Sequence, residues 1–219
     1  MLIFGKIDYI NLLPLHIYLK KAPLPSAFKQ IMAHKKGVPS VINYKLKKRC
    51  IDAAFISSIE SPAYRCFDLG ICAHKKVKSV LVRKSSTPKK DSASASSNAL
   101  ALVLNQKGEV IIGDRALKMY LQNPNDFTDL CALWHAKTGL PFVFACLACV
   151  KNKHLIEKIF KKFAHKKIFI PGYILEQYAL SRGICAKEIK EYLKLIYYKI
   201  NLKEKKALKL FLKKSKEKK

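Results

Sequence analysis

The sequence predicts an α/β fold in two lobes with a ligand cleft between them. Short apolar runs alternate with amphipathic stretches along its 219 residues, as where strands and helices alternate. Polar Lys84–Ser94, rich in Ser, Thr, Pro and Lys, interrupts that pattern like a crossing between lobes. The turn-like Thr138-Gly-Leu-Pro141 marks a return. Residues 1–84 and 141–219 are therefore expected to form one discontinuous lobe, and 85–140 the other. Strand ends and helix N-termini of both lobes would face the cleft, a usual place for a ligand.

Each element has a local reason. Leu2–Ile7 reads as a strand that ends at Asn11-Leu-Leu-Pro14, and a proline at the first helical position suits a helix to about Lys21. Val38–Leu46 reads as a helix with Pro39 near its start. Ala53–Ile56 is a short buried strand, and Ser57-Ser-Ile-Glu60 has the spacing of a capping box opening another helix. Ser79–Arg83 is a strand, and Ser94-Ala-Ser-Ser-Asn-Ala-Leu begins a helix to about Leu104. Glu109–Ile112 is a strand running into Gly113-Asp114, where Asp114 is expected to cap the helix Arg115–Leu121. Phe142–Val150 is a buried strand. Beyond it the chain reads as mainly helical, with short strand or loop pieces near Ile168–Pro171.

Composition narrows the function. No apolar run approaches the ~20 residues of a membrane span, and the N-terminal residues lack the pattern of a secretory leader. The protein is therefore expected in the cytoplasm, with no membrane partner. Seven cysteines lack the regularity of a disulfide scaffold. Cys146 and Cys149 form a CxxC, but they sit in an apolar run with no second ligand pair nearby, so they read as small buried hydrophobes. The formal charge is +28, and residues from Lys151 onward carry 21 Lys and Arg against 6 Glu. That excess is spread over helix faces without a nucleic-acid-binding signature, so it reads as a solvated surface that can draw in a small anion. No nucleic-acid partner is expected.

Four junctions place small polar residues at or near a helix start: Asn11, Ser57-Ser58, Ser94–Ser97 and Asp114. A helix start offers unpaired N–H donors and about half a positive charge, a ready anion site. Taken singly, each reads first as an ordinary N-cap. The Ser92–Ser97 segment goes further, because capping needs one hydroxyl and it supplies four. Several such junctions in one chain would suit a ligand with two carboxylates. No nucleophile elbow, paired-carboxylate pattern, HExxH or glycine-rich phosphate loop occurs. His135 reads as a packing or surface histidine before a base. The expected cofactors are none: no metal, nucleotide or redox group.

The same junctions carry a resemblance. Gly5-Lys-Ile-Asp-Tyr-Ile-Asn11-Leu-Leu-Pro14, Gly37-Val-Pro-Ser with Asn43, and Ile51-Asp-Ala-Ala-Phe-Ile-Ser57-Ser58-Ile-Glu60 come first. Val77-Lys-Ser79-Val-Leu, Ile112-Gly-Asp114-Arg-Ala-Leu, Asp129-Leu130 with Trp134, and Thr138-Gly139-Leu-Pro-Phe-Val-Phe-Ala145 follow in order. The chain thereby resembles the chorismate dehydratase family of the futalosine route to menaquinone. The Tyr192–Leu212 stretch is also similar to that family.

The resemblance implies a fold like type II periplasmic binding proteins. It also implies a reaction, the loss of water from chorismate to give 3-[(1-carboxyvinyl)oxy]benzoate. Much of the driving force would lie in the substrate, whose ring becomes aromatic, so the protein must orient a dianion and exclude water. Asn11 is then the candidate catalytic residue. Its amide is too weak a base to take a proton, and it would position the leaving hydroxyl or a proton-accepting group of the substrate. Ser57, Ser58, Ser96 and Ser97 would hold carboxylates, and Ser79, Asp114 and Gly139 join them as substrate contacts from the matching blocks. Two alternatives remain: an enzyme like 1,4-dihydroxy-6-naphthoate synthase of the same pathway, and a non-enzymatic small-anion-binding protein of the same fold.

Overall fold

The computed structural model describes residues 2–84, 87–163, 166 and 168–218; Ser85 and Ser86 of the expected 84–94 loop lie outside the described residues. A five-stranded sheet is built from β1 (Phe4–Gly5), β2 (Ala53–Ser57), β7 (Phe142–Cys149), β3 (Arg65–Ala73) and β8 (Ile196–Lys199), in that spatial order. β1 and β2 run parallel, and the other neighbours are antiparallel. A three-stranded antiparallel sheet has β4 (Val80–Arg83) between β5 (Glu109–Ile112) and β6 (Phe127–Asp129). β2 and β7 are buried along nearly their whole length, which is why they read as continuous apolar runs rather than alternating ones.

Helices cover the sheets: α1 (Leu13–Lys21), α2 (Ser26–His34), α3 (Pro39–Lys47), α4 (Ala95–Val103), α5 (Gly113–Gln122) and α6 (Leu130–Thr138), then α7 (Lys153–Phe160), α8 (Gly172–Arg182), α9 (Ala186–Leu193) and α10 (Leu202–Lys216). The lobes share one continuous apolar core, which runs from Phe4 and Ile56 through Val80 and Ile112 to Trp134 and Phe211. Trp134 is locked within it by an N–H bond to the Pro141 carbonyl at 2.9 Å and edge-on contacts with Phe142 and Phe211. α10 packs over α4 and β7, so the last helix ties the two lobes together.

Several expectations need correction. The strand at Leu2–Ile7 pairs in the sheet only over Phe4–Gly5. Ser57-Ser-Ile-Glu60 is no capping box: the Ser57 side chain makes no cap bond, and Ser58–Ala63 form a 3-10 turn. Pro62 lies inside that turn and, having no N–H, cannot extend it into an α-helix. Asp114 does not cap α5, because its carboxylate bonds to Ile10 and Arg182 instead. Val80–Arg83 pairs with β5 and β6 in the three-stranded sheet. Strands β3 and β6 and helices α2 and α6 carried no sequence expectation, and β8 falls in a stretch expected to be mainly helical. β3 hid because its first half is largely exposed and its pairing is broken by register shifts around Gly70.

Cys146 and Cys149 lie in β7, both buried and unoxidised. Residues three apart in a strand point to opposite faces, and the two thiols belong to different apolar clusters. Among the described residues no group of three or more His, Cys, Asp or Glu gathers as a metal site, and no helix is long and apolar enough to cross a membrane.

His16 on α1 is a buried polar outlier, 8% exposed, with no partner for Nδ1. Burial, assisted by the Lys6 charge, lowers its pKa to about 3 from the ordinary 6.5, against the pull of Asp8 and of the Ile7 carbonyl. The unfolded chain takes up a proton below about pH 6.5 and the folded protein refuses it until about pH 3. His16 therefore costs stability progressively as pH falls through that window, at up to about 1.4 kcal/mol per pH unit. His16→Leu is expected to flatten the fall in urea midpoint between about pH 6.5 and 4; an unchanged slope would assign the acid sensitivity to other groups.

Candidate functional site

The two sheets leave a cavity between them with about 550 Å³ of atom-free space, mouth included. Its floor and walls are apolar: Ile7, Ile71, Val77, Val80 and Phe144. Its polar groups are Tyr9, Asn11, Ser57, Ser79, Ser94 and Ser97, and none of the lining residues carries a formal charge. Pro39 at the start of α3, Ser94 and Ser97 at the start of α4, and Gly113 at the start of α5 bring three helix N-termini to the wall.

Asn11 sits in a 3-10 turn, Ile10–Leu12, that leads into α1. Its backbone carbonyl accepts a 2.6 Å bond from the Tyr198 hydroxyl. Burial pushes the pKa of the nearby Tyr192 hydroxyl upward, against the pull of Ser79 and the Asn11 amide. Tyr192 also shares a 2.8 Å bond with Ser79 Oγ. Asn11 Oδ1 is buried and has no hydrogen-bond partner among the described residues. An unpaired buried acceptor costs about 1–3 kcal/mol, and here it belongs to a side chain in the cavity wall.

The remaining polar groups are arranged as donors. Ser94 caps α4 by accepting from the Ser97 N–H at 3.2 Å, and its own hydroxyl donates to Ser97 Oγ at 2.7 Å. The Ser97 proton is thereby left to point elsewhere. The Ser57 N–H is held by Asn43 Oδ1 at 3.2 Å, and among the described residues its hydroxyl forms no hydrogen bond. Gly113 has φ +70°, and a side chain there would meet the Tyr9 ring at 2.9 Å, so glycine is what lets the ring lie against the start of α5. Burial, then the Asp91 and Asp114 charges, push the Tyr9 pKa up to about 12, so its phenol stays protonated at neutral pH.

The structure thus gathers Asn11, Ser57, Ser79 and Ser97 around one cavity. It does not bring Ser58, Ser96, Asp114 or Gly139 to that wall. Ser58 Oγ and Ser96 Oγ bond to each other at 3.1 Å, and Ser96 Oγ also accepts the Ile59 N–H, so this pair rivets α4 to the turn after β2. Asp114 points at the backbone of Ile10. Gly139 is the left-handed residue that ends α6, φ +67°, with open space around it. His135 approaches the Leu140 carbonyl at 3.3 Å and packs against His74, away from the cavity.

Tyr9, Tyr192 and Tyr198 are cavity-wall residues or their supports to which the sequence assigned no role, and Ser94 was marked only as part of a helix start. The signal for Tyr9 was its place two residues before Asn11. The two later tyrosines lay in the family-like stretch after Tyr192, which carried no assigned role.

A family model described as menaquinone biosynthesis matches residues 2–103 and 92–217. The chorismate dehydratase of Campylobacter jejuni subsp. jejuni serotype O:23/36 (strain 81-176) is 60% identical over 215 residues, covering 97% of this chain and 96% of that protein. The chain belongs to the menaquinone biosynthesis family. Among solved structures, AF1704 from Archaeoglobus fulgidus matches with a TM-score of 0.67 at 13% identity, over 98% of this chain and 96% of that one. The periplasmic aliphatic sulphonate binding protein SsuA from Escherichia coli matches at 0.51 and 15%, over 98% and 90%. At such identities these likenesses speak to the fold alone, and they bear out the expectation of a two-lobed, periplasmic-binding-protein-like architecture for this family member.

Removing Ser96 Oγ would leave the Ile59 N–H without its acceptor and Ser58 Oγ without its partner. Ser96→Ala is expected to cost about 1–3 kcal/mol, read as a lower urea midpoint. Ser57→Ala should stay within about 0.5 kcal/mol. Equal losses in both would contradict the separate roles assigned to these serines.

Proposed function

We infer that the chain is a chorismate dehydratase, a hydro-lyase that forms 3-[(1-carboxyvinyl)oxy]benzoate and water from chorismate. The 60% identity to a chorismate dehydratase over 97% of the chain carries this reading. The cavity supports it chemically. In the reaction a C–H bond at the ether-bearing ring carbon and the neighbouring C–O bond break, a ring double bond forms, and the proton and hydroxide leave as water. The wall offers neutral donors and one orphan acceptor, a set suited to orientation and not to strong-base chemistry.

Asn11 Oδ1 is the acceptor for the substrate's ring hydroxyl, whose direction it sets relative to the ring plane. Ser79, bonded to protonated Tyr192, is placed to donate to the same oxygen as it leaves. The two carboxylates go to helix starts, one to Ser57 and the α3 N-terminus, the other to Ser97 and the α4 N-terminus. Ile7, Ile71, Val77 and Phe144 exclude water, which strengthens each of these dipolar contacts. A cytoplasmic location forms part of the proposal, which subcellular fractionation tests.

Incubating the purified protein with chorismate should yield an aromatic absorbance and a product lighter by one water in mass spectrometry; unchanged chorismate sinks the reading. Asn11→Ala and Asn11→Asp are expected to keep the circular dichroism spectrum and lower turnover by about a hundredfold or more. Ser57→Ala should raise KM for chorismate by about ten- to a hundredfold with kcat preserved, as expected for a uniform contact to a charged group. Dialysis against a chelator is expected to leave the rate unchanged, since no ligand set for a metal was found in the sequence.

A further inference from the structure

We propose that Asp114 and Arg182 form a positioning pair that holds the Asn11 turn in its working place, and that neither residue touches the substrate. The proposal rests on the dehydratase reading above. Ile10, the residue before Asn11, is completely buried, and its N–H has to find an acceptor there. Asp114 Oδ1 supplies it at 2.9 Å from the first turn of α5. The other carboxylate oxygen is held by Arg182 Nε at 3.1 Å from the end of α8. The same guanidinium reaches back to the turn through Nη2, which donates to the Asp8 carbonyl at 3.0 Å and to Asp8 Oδ2 at 3.3 Å.

Tyr178 completes the clasp: its hydroxyl donates to Asp8 Oδ1 at 3.2 Å and its ring lies under the Arg182 guanidinium at 4.9 Å. Residues 8–10 are thus gripped from two helices far away in sequence. Asn11 lies next in the chain, so a turn released by a fraction of an ångström moves the amide off the reacting hydroxyl. Such a displacement reads out in the chemical step more than in binding. The charged and titratable groups around Asp114 are Asp8 and Tyr9 of the first segment, Tyr178 and Arg182 of α8, and Tyr192 of α9, while Lys6 and His16 stand beside Asp8. Burial and the Asp8 charge push the Asp114 carboxyl up, and the Ile10 N–H and Arg182 hold it down.

Arg182→Ala is expected to lower kcat by about ten- to a hundredfold at neutral pH with KM nearly unchanged. It should also move the acid limb of the kcat profile to higher pH, because Asp114 loses its counter-charge. Arg182→Lys, which keeps the charge but cannot reach both carboxylates in the same way, should recover the position of that limb and only part of kcat. Adding Asp114→Asn to Arg182→Ala should abolish the displaced limb. A wild-type pH profile in Arg182→Ala overturns the pair. A raised KM with normal kcat in Asp114→Asn overturns it too, by making Asp114 a substrate contact. Wild-type turnover of chorismate is measured first, and its absence counts against the dehydratase reading alone. The Asp114 carboxyl, titrated by carbon NMR with and without Arg182, still decides the pair: an upward shift on losing Arg182 supports it and no shift refutes it.

Discussion

Four backbone N–H groups converge on the Asp129 carboxylate, and the relation between the two sheets hangs on it. Oδ1 caps α6 through Cys131 and Ala132, and Oδ2 receives Val77 and Lys78 at 2.9 and 2.7 Å. Val77 and Lys78 belong to the first crossing, and α6 leads into the second. One buried carboxylate therefore ties residues 77–78 to the start of α6. Its neighbours Ser79 and Val80 enter the cavity wall, and the Ser79 carbonyl accepts the Gly113 N–H at 2.9 Å, which places the α5 start opposite. Burial pushes the Asp129 carboxyl upward while the four N–H groups pull it down. Lose the cluster, and a buried carboxyl would be left with nothing to offset its desolvation.

That frame explains how a dianion can be held without a cation in the wall. A lysine buried in so apolar a cleft would tend to give up its proton, and a close ion pair would bind ground and transition states alike. Backbone N–H groups at helix starts keep their partial charge at every pH, and they are already oriented before the ligand arrives. The surface lysines act at longer range, where net charge alters encounter more than the bound geometry. Long-range attraction and short-range selection are thus carried by different groups.

Legibility in the sequence followed the same division. Asn11, Ser57 and Ser97 stood at strand ends and helix starts, which have local signatures, whereas Ser79 was named only through the family resemblance. Ser58 and Ser96 carry the same signature yet face each other, since which neighbour in a serine run turns inward depends on backbone phase and not on composition. Asp114 was visible as an acidic residue at a helix start, but its partners, Ile10 and Arg182, lie 104 and 68 residues away. β8 and the tyrosines around it were invisible for a related reason: Lys and Tyr dominate that stretch, and its pairing with β3 is wholly long-range.

Those distant residues are also why a costly feature survives at the site. A buried amide oxygen without a partner would ordinarily turn its side chain over, or shift the backbone, to recover a bond. The backbone of Asn11 is prevented from shifting. The Tyr198 hydroxyl pins its carbonyl from β8, 187 residues on. Asp114 and Arg182 hold the residues just before it. With the backbone held from β8 on one side and from α5 and α8 on the other, Oδ1 remains available to the cavity. The C-terminal segment thus contributes no residue to the cavity wall, yet it sets the direction of the one acceptor on which the proposed chemistry turns.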